Sequence, residues 1–248
     1  MDDLRGRTAV VVGASRGLGR GIAESYLDAG AHVVALARDT SPLAALSPGN
    51  PRLNCENIDA TDSGHAERLL AAHRPDILAL VAGAATELRP LQEHTWESFS
   101  LNWHVDVRIA FTWLRAALRL PLGPGSRVIV VSSGAALRGS PISGGYAGAK
   151  ATTRFLADYA AQESERAGLG ITFSTVMPQL TGETALGRPA VLAYAERAGI
   201  TVEQFVAGMG PSVTPQLAGA ALLQLASGKP AAAAGAHLLT GEGLRPLP

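Results

Sequence analysis

The sequence has few of the residues on which several classes of protein depend. Its only cysteine is Cys55, so the chain can form no internal disulfide, and no Cys/His spacing resembles a zinc site. No run of about 18 apolar residues occurs, and Met1-Asp-Asp-Leu-Arg lacks the apolar core of a signal segment. Basic and acidic residues number 21 each, so no basic field argues for nucleic acid or an anionic membrane. We expect a cytoplasmic protein without metal, nucleic-acid or membrane partners.

The chain does contain a regular alternation of short apolar runs and helical patterns. A length of 248 residues suits one domain spanning 1–248. Strands that alternate with helices favour right-handed crossovers and a parallel, doubly wound α/β sheet with helices on both faces. We predict seven strands: Thr8–Val12, His32–Ala37, Leu53–Ile58, Ile77–Val81, Ser126–Ser132, Ile171–Met177 and Ala236–Leu239.

A glycine-rich loop follows the first strand and precedes a helical pattern. Its sequence, Gly13-Ala-Ser-Arg-Gly17-Leu-Gly19, has the spacing G-x-x-x-G-x-G. Glycines let the backbone approach a pyrophosphate, and a helix N-terminus offers free amides and the positive end of a dipole. We predict a dinucleotide site here; the alternative is an ordinary glycine-rich turn. The candidate contacts are Gly13, Ser15, Arg16, Gly17, Leu18 and Gly19.

The residues after the second and third strands bear on the adenosine half of such a cofactor. An acidic residue at the end of the second strand is typical of NAD sites, whereas an arginine accommodates the 2'-phosphate of NADP. Here Arg38 stands at that point, Arg16 lies in the glycine loop, and Asp39 comes one residue late. We therefore predict NADP(H), the alternative being a solvated charged turn. Asp59 is a candidate adenine contact, and Asp62 is a helix N-cap.

Tyr146 and Lys150 lie four residues apart in a run of small residues, so on a helix they share one face. A nearby ammonium stabilises a phenolate and lowers the pKa of the tyrosine toward the working range of a general acid or base. Lysine is scarce in this chain, with Lys229 the only other one. The alternative is an exposed pair that arose by chance. The fifth strand ends just before Ser133 and places it at the same edge of the sheet as the glycine-rich loop.

Two longer segments complete the pattern. A helix predicted from Thr95 to Arg119 carries an apolar stripe typical of a core or a subunit contact, with Asn102 within it. An insertion at about 178–210 carries apolar residues between two short helical patterns. It suits a lid over an apolar or aromatic carbonyl compound, or else merely packs on the core.

Taken in order, these motifs resemble the short-chain dehydrogenase/reductase family in its single-domain form of about 250 residues. The resemblance implies a Rossmann-type sheet and a catalytic set of Asn102, Ser133, Tyr146 and Lys150. It implies that Tyr146 exchanges a proton with the substrate, Ser133 orients the substrate oxygen, and Lys150 also holds the nicotinamide ribose. The family's asparagine, matched to Asn102, keeps a water that relays protons to the lysine.

The resemblance also implies further cofactor contacts at Ala82, Gly83, Pro178 and Thr181, with Thr184 as the alternative threonine. The chain departs from the family's pattern at three places. Val12 precedes the first glycine instead of threonine, and Leu80-Val81-Ala82-Gly83 replaces Asn-Asn-Ala-Gly. Pro178 is followed by Gln179 instead of glycine.

The resemblance implies an NADPH-dependent carbonyl reductase, or an alcohol dehydrogenase in reverse, that works as a homodimer or homotetramer. Two alternatives remain open. One is a non-redox elimination or cyclisation on the same fold, which the missing asparagines and the altered Pro-Gly favour. The other is an NADP-sensing module without catalysis.

Overall fold

A central sheet of short apolar strands organises the chain, whose computed structural model describes residues 3–44 and 48–247. The Val- and Ile-rich strands are covered on both faces, as parallel strands require. They pair in the order β3-β2-β1-β4-β5-β6-β7-β8, parallel except for β7 with β8. The strands are β1 (Thr8–Val12), β2 (His32–Ala37), β3 (Leu53–Asn57), β4 (Ile77–Leu80), β5 (Arg127–Val131), β6 (Thr172–Pro178), β7 (Gly235–Thr240) and β8 (Gly243–Pro246).

Helices cover both faces of this sheet. One apolar cluster lies between the sheet and a layer that includes Ile22 and Leu222, and a second lies on the opposite face around Leu69 and Trp113. None of the described helices is long and apolar enough to span a bilayer. The helices are α1 (Gly17–Asp28), α2 (Ser41–Ala44), α3 (Ser63–His73), α4 (Trp96–Asn102), α5 (Arg108–Arg119), α6 (Ala135–Arg138), α7 (Tyr146–Arg166), α8 (Gly187–Ala198), α9 (Val202–Gly208), α10 (Pro215–Ser227) and α11 (Pro230–Ala233).

The predicted doubly wound parallel sheet is confirmed, and the seven predicted strands end within a residue or two of their observed bounds. The eighth strand was not predicted, because it has only four residues and follows β7 through a tight turn. Asp62 caps α3 by accepting a hydrogen bond from the amide of Gly64, as predicted. Of the loop predicted after β2, residues 45–47 lie outside the described part of the chain.

The long helix predicted from Thr95 to Arg119 is interrupted. α4 and α5 are separated by a π-helical turn, Trp103–Val107, which adds a residue to the turn and shifts the helical register of α5 relative to α4. Such turns occur often at functional sites. Asp106 lies in this turn and is buried.

The strand order fixes where a ligand can bind. β1 lies between β2 and β4, so the connections that leave β1 and β4 run to opposite faces of the sheet. A crevice opens outside the carboxyl ends of the strands at such a switch point. The glycine loop after β1 lies in it.

Two glycines let α1 and α10 cross at close range. A Cβ on Gly21 would lie 2.9 Å from Cα of Pro215 and still nearer to its carbonyl oxygen. A Cβ on Gly219 would lie 2.8 Å from Cβ of Ser25. Any side chain at Gly21 must push the two helices apart, because the atoms it meets are backbone.

We expect Gly21→Ala to lower the free energy of unfolding by roughly 2–3 kcal/mol, as over-packing of a close contact does. Gly208→Ala is the control, because Gly208 is exposed, helical and has open space where the methyl would go. Urea unfolding followed by circular dichroism measures both variants. A Gly21→Ala protein as stable as the Gly208→Ala protein would contradict this account of the helix crossing.

Candidate active site

A cleft of about 1490 Å³ opens at the carboxyl ends of the strands. It extends from the end of β2, over the glycine loop, to α7 and to the segment 178–210, which is called the lid after its predicted role. Every site residue predicted from the sequence lines this cleft except Asn102. The residues it brings together are Gly13, Ser15, Arg16, Gly17, Leu18, Gly19, Arg38, Asp59, Ala82, Gly83, Ser133, Tyr146, Lys150, Pro178 and Thr181.

Two glycines of the loop, Gly13 and Gly19, are packed so closely that they have no room for side chains. Gly13 has φ 93°, and a Cβ there would lie 2.6 Å from the backbone nitrogen of Ala82. A Cβ on Gly19 would meet the carbonyl oxygen of Gly13. Arg16, at the N-cap of α1, makes no side-chain capping bond, so the first-turn amides remain available to an anion. The loop fits the pyrophosphate of a dinucleotide.

Charged residues at the ends of β2 and β3 define the far end of the cleft. Arg38 is exposed there, and its positive charge acts on the carboxylate of Asp59. Hydrogen bonds from the amide and hydroxyl of Thr61 hold the pKa of Asp59 below its usual value, and Arg38 lowers it further. Asp39 is bound to the hydroxyl and amide of Ser41, at 2.6 and 3.0 Å, which lowers its pKa. Its carboxylate is thus engaged at the start of α2.

Tyr146 begins α7 at the opposite end of the cleft. The close approach of Gly145 to the carbonyl of Phe99 positions this helix end, because a Cβ on Gly145 would meet that oxygen. Lys150 Nζ lies 5.7 Å from the centre of the Tyr146 ring. The hydroxyl of Ser132 donates to the carbonyl oxygen of Lys150 at 2.7 Å, which fixes α7 against the end of β5. Phenol and ammonium therefore share one side of α7.

Ser133 follows directly at the end of β5 and lines the same cleft. Its Oγ accepts a hydrogen bond from the amide of Ala135 at 3.2 Å. Because this contact occupies a lone pair and not the hydroxyl hydrogen, the Ser133 hydroxyl remains free to donate.

The strongest electrostatic contact of the site is one that the sequence analysis missed. Asp106, in the π-helical turn, lies with Oδ2 3.2 Å from Nζ of Lys150, and both residues are buried, at 3% and 5% exposure. Nζ also donates to the carbonyl of Val131 at 3.4 Å. Burial alone would lower the pKa of Lys150, but the charge of Asp106, with smaller contributions from Tyr146, raises it above the ordinary value. Lys150 is held as an ammonium.

Asn102 binds the loop after β4. Its Nδ2 donates to the carbonyl oxygen of Ala84 at 3.3 Å, and Oδ1 of Asp106 accepts from the amide of the same residue at 2.7 Å. Asn102 and Asp106 thus hold both backbone polar groups of Ala84. They brace the loop after β4, from which the family's two asparagines are missing. The signal for Asp106 was an acidic residue between two valines in an apolar helix.

The two candidate threonines lie at different places on the lid. The hydroxyl of Thr181 donates to the carbonyl of Val213 at 2.9 Å and is buried. Thr184 accepts from the amide of Gly187 at 3.0 Å, and its methyl group would lie 3.5 Å from a Cβ on Gly17. Thr184 therefore lies over the glycine loop, whereas Thr181 secures the base of the lid.

The segment 178–210 lines the cleft with apolar and aromatic groups. The rings of Tyr194 in α8 and Phe205 in α9 stack at 6.2 Å between centres and 9° between planes. Both line the cleft, together with Leu186 and, from α6, Leu137. At the end of the lid, Nε2 of Gln179 donates to the carbonyls of Met209 and Pro211, each at 3.2 Å.

Comparisons with known proteins agree with this geometry. The L-xylulose reductase of Mesocricetus auratus is 32% identical over 137 residues, 54% of this chain and 56% of that protein. The sorbitol dehydrogenase of Cereibacter sphaeroides is 30% identical over 175 residues, 68% of each chain. The match thus spans little more than half of the reductase and about two thirds of the dehydrogenase.

Solved structures extend the likeness to the whole fold. The 3-oxoacyl (acyl-carrier-protein) reductase from Agrobacterium tumefaciens C58, solved with NADP bound, superposes with a TM-score of 0.79 at 27% identity. The superposition covers 97% of this chain and 95% of that one. The model of the short chain dehydrogenase family matches residues 7–193, about three quarters of the sequence. The chain therefore belongs to the short chain dehydrogenase family of oxidoreductases.

Proposed function

We propose that the protein is an NADPH-dependent reductase of carbonyl compounds, able to oxidise the corresponding alcohol in reverse. The observation that carries this proposal is the meeting of Ser133, Tyr146 and Lys150 in one cleft with an uncapped glycine loop. A proton donor, an oxygen-orienting hydroxyl and a phosphate site are the parts that such a reaction needs from the protein.

In this proposal each residue acts on a stated atom. The phenol of Tyr146 donates its proton to the carbonyl oxygen of the substrate, which becomes the alcohol oxygen. The free hydroxyl hydrogen of Ser133 donates to the same oxygen and holds it in place. Lys150 stabilises the phenolate that remains on Tyr146. During alcohol oxidation the proton moves in the opposite direction, from the alcohol to Tyr146. When bound, NADPH supplies the hydride that adds to the carbonyl carbon.

The preference for NADP(H) rests on the residues around the adenosine end of the cleft. Arg38 and Arg16 both line it, and a guanidinium pairs well with a phosphate. Asp39 follows Arg38, and Ser41 holds its carboxylate at the start of α2. The related Agrobacterium reductase, solved with NADP bound, supports the same cofactor here.

For the substrate we propose a carbonyl compound with an apolar or aromatic group. Leu137, Leu186, Tyr194 and Phe205 supply the lining of the cleft near Tyr146. Among the relatives are enzymes named for sugars and polyols, such as L-xylulose reductase and sorbitol dehydrogenase. Turnover of aryl ketones in preference to L-xylulose would support the apolar class, and the reverse order would contradict it.

We expect Tyr146→Phe to lower NADPH-dependent carbonyl reduction by about 10²–10⁴-fold, because the variant has no proton to donate. NADPH binding, followed by fluorescence titration, should change little. Tyr159→Phe is the matched control, because Tyr159 lies on the same helix but is 52% exposed and outside the cleft. Turnover that survives Tyr146→Phe at the level of Tyr159→Phe would disprove the assigned proton donor.

We expect Arg38→Gln to weaken NADPH binding by roughly tenfold to hundredfold, the loss of one charge-assisted hydrogen bond, and to leave NADH binding nearly unchanged. Arg20→Gln removes an equal charge from α1, where Arg20 pairs with Glu24 outside the cleft, and serves as the control. Isothermal titration with both nucleotides measures the two variants. Equal losses for NADPH and NADH would show that Arg38 does not select the phosphate.

We also propose that the protein forms a homodimer or homotetramer through α5 and α7. These helices expose large apolar side chains, with Phe111 54%, Phe155 63% and Tyr159 52% accessible. Surfaces of this kind mark contacts between proteins. Light scattering should give two or four times the mass of one chain, and Phe155→Glu should shift it toward one. A monomeric wild type would end this proposal.

A further inference from the structure

The lysine that serves the phenol in this site is already paired with a carboxylate. Asp106 and Lys150 form an ion pair at 3.2 Å, and both are almost fully removed from water. Charges in such surroundings interact strongly, because little solvent screens them. The positive charge of Lys150 therefore does not act on Tyr146 alone.

The structure holds the carboxylate of Asp106 rigidly in this position. The amide of Ala84 donates to Oδ1 at 2.7 Å, which directs Oδ2 toward Nζ of Lys150. Gly83 makes room for this arrangement, because a Cβ there would lie 2.9 Å from Oδ2 and 3.0 Å from Oδ1. The π-helical turn at Trp103–Val107 carries Asp106 to this point.

Few other titratable groups surround the pair. Tyr146 lies one turn away on α7, and together with Asp106 it accounts for the charges that act on Lys150. His104 of the π-helical turn and Arg138 of α6 line the cleft and are exposed. From α8, Tyr194 faces Tyr146, and Arg197 acts on Tyr194.

We propose that Asp106 is a positioning residue that keeps the Tyr146–Lys150 pair in its proton-donating state to higher pH than an uncharged side chain would. This inference rests on the proposed reductase function. With Asp106 ionised, the three groups are neutral overall before the first proton leaves and negative afterwards. With a neutral side chain at 106 they would be positive before and neutral afterwards. Since buried net charge is unfavourable, Asp106 disfavours the first loss.

The consequence is a bias in the direction of the reaction. Carbonyl reduction needs the protonated phenol, so Asp106 extends reduction into alkaline solution. Alcohol oxidation needs a phenol that has lost its proton, so it begins only at higher pH. Asp106 acts through Lys150 and Tyr146, without itself exchanging a proton with the substrate.

The charge state of Lys150 can be measured without any substrate. Because the chain has two lysines, protein labelled with ¹³C at lysine Cε gives two side-chain signals, which Lys229→Arg assigns. Lys229 is exposed and serves as the internal reference. In the wild type, the Lys150 signal should stay at its charged position at pH values at which Lys229 titrates. Loss of the Lys150 proton before that of Lys229 would overturn the proposal.

The catalytic consequence is tested with Asp106→Asn in the full-length protein. The pH above which NADPH-dependent reduction declines should fall by about one to two units, the effect of removing one nearby charge. A purely structural role would lower kcat at every pH without moving the profile. Asp158→Asn is the matched control, because Asp158 lies on α7 with its side chain 47% exposed and its carboxylate 4.0 Å from Arg154.

The outcomes separate this inference from the proposed function. Active Asp106→Asn with an unmoved pH profile overturns the role of Asp106 and leaves the reductase intact. A wild type that reduces no carbonyl compound overturns the reductase, while the lysine titration still decides whether Asp106 holds Lys150 charged. If Asp106→Asn does not fold, the lysine titration of the wild-type protein decides the proposal by itself.

Discussion

The parallel order of the strands is the constraint on which the rest of the molecule depends. Because β1 through β7 all run the same way, their carboxyl ends meet at one edge. The chain order around β1 opens a crevice there. A glycine loop, a serine and a tyrosine that are far apart in sequence reach that crevice through the strands and helices before them. The strand order therefore brings these residues together, because each one lies at the end of its own strand or helix.

Within the crevice, the loop after β4 lacks the polar side chains that usually stabilise it in this family, and other residues hold it. The loop after β4 has Leu80 and Val81 where amide side chains are usual in the family. Asn102 and Asp106 hold the backbone of Ala84 from the helical side instead. The replacement is not chemically neutral, because one brace is a carboxylate and it contacts the lysine of the site. A change that maintains the shape of a loop has thereby altered the charge of the catalytic end.

The sequence was sufficient for the sheet and for most of the cleft. Runs such as Thr8–Val12 are β-branched and bounded by turn residues, so their strands could be placed closely. Gly13, Gly17 and Gly19 indicated a tight loop by their spacing, because backbone contacts at Gly13 and Gly19 and the φ of 54° at Gly17 favour glycine. The π-helical turn, in contrast, changes the helical register of α5 by one residue and has no sequence signal. The burial of Asp106 beside Lys150 depends on packing between separate helices, which the sequence pattern does not reveal. The strand β8 has too few residues to show the alternation of apolar and polar residues that is typical of a strand.

Gln179 joins the two ends of the segment 178–210. Its side-chain amide, directly after β6, donates to the carbonyls of Met209 and Pro211. The beginning and the end of the segment 178–210 therefore lie together at the end of β6. A glycine at this position could not make that tie. The residues between these two ends form a closed loop over the cleft, which begins with Thr181 and Thr184. Since Thr184 lies over the glycine loop, the segment tied by Gln179 borders both the phosphate end of the cleft and the end lined by Tyr194 and Phe205.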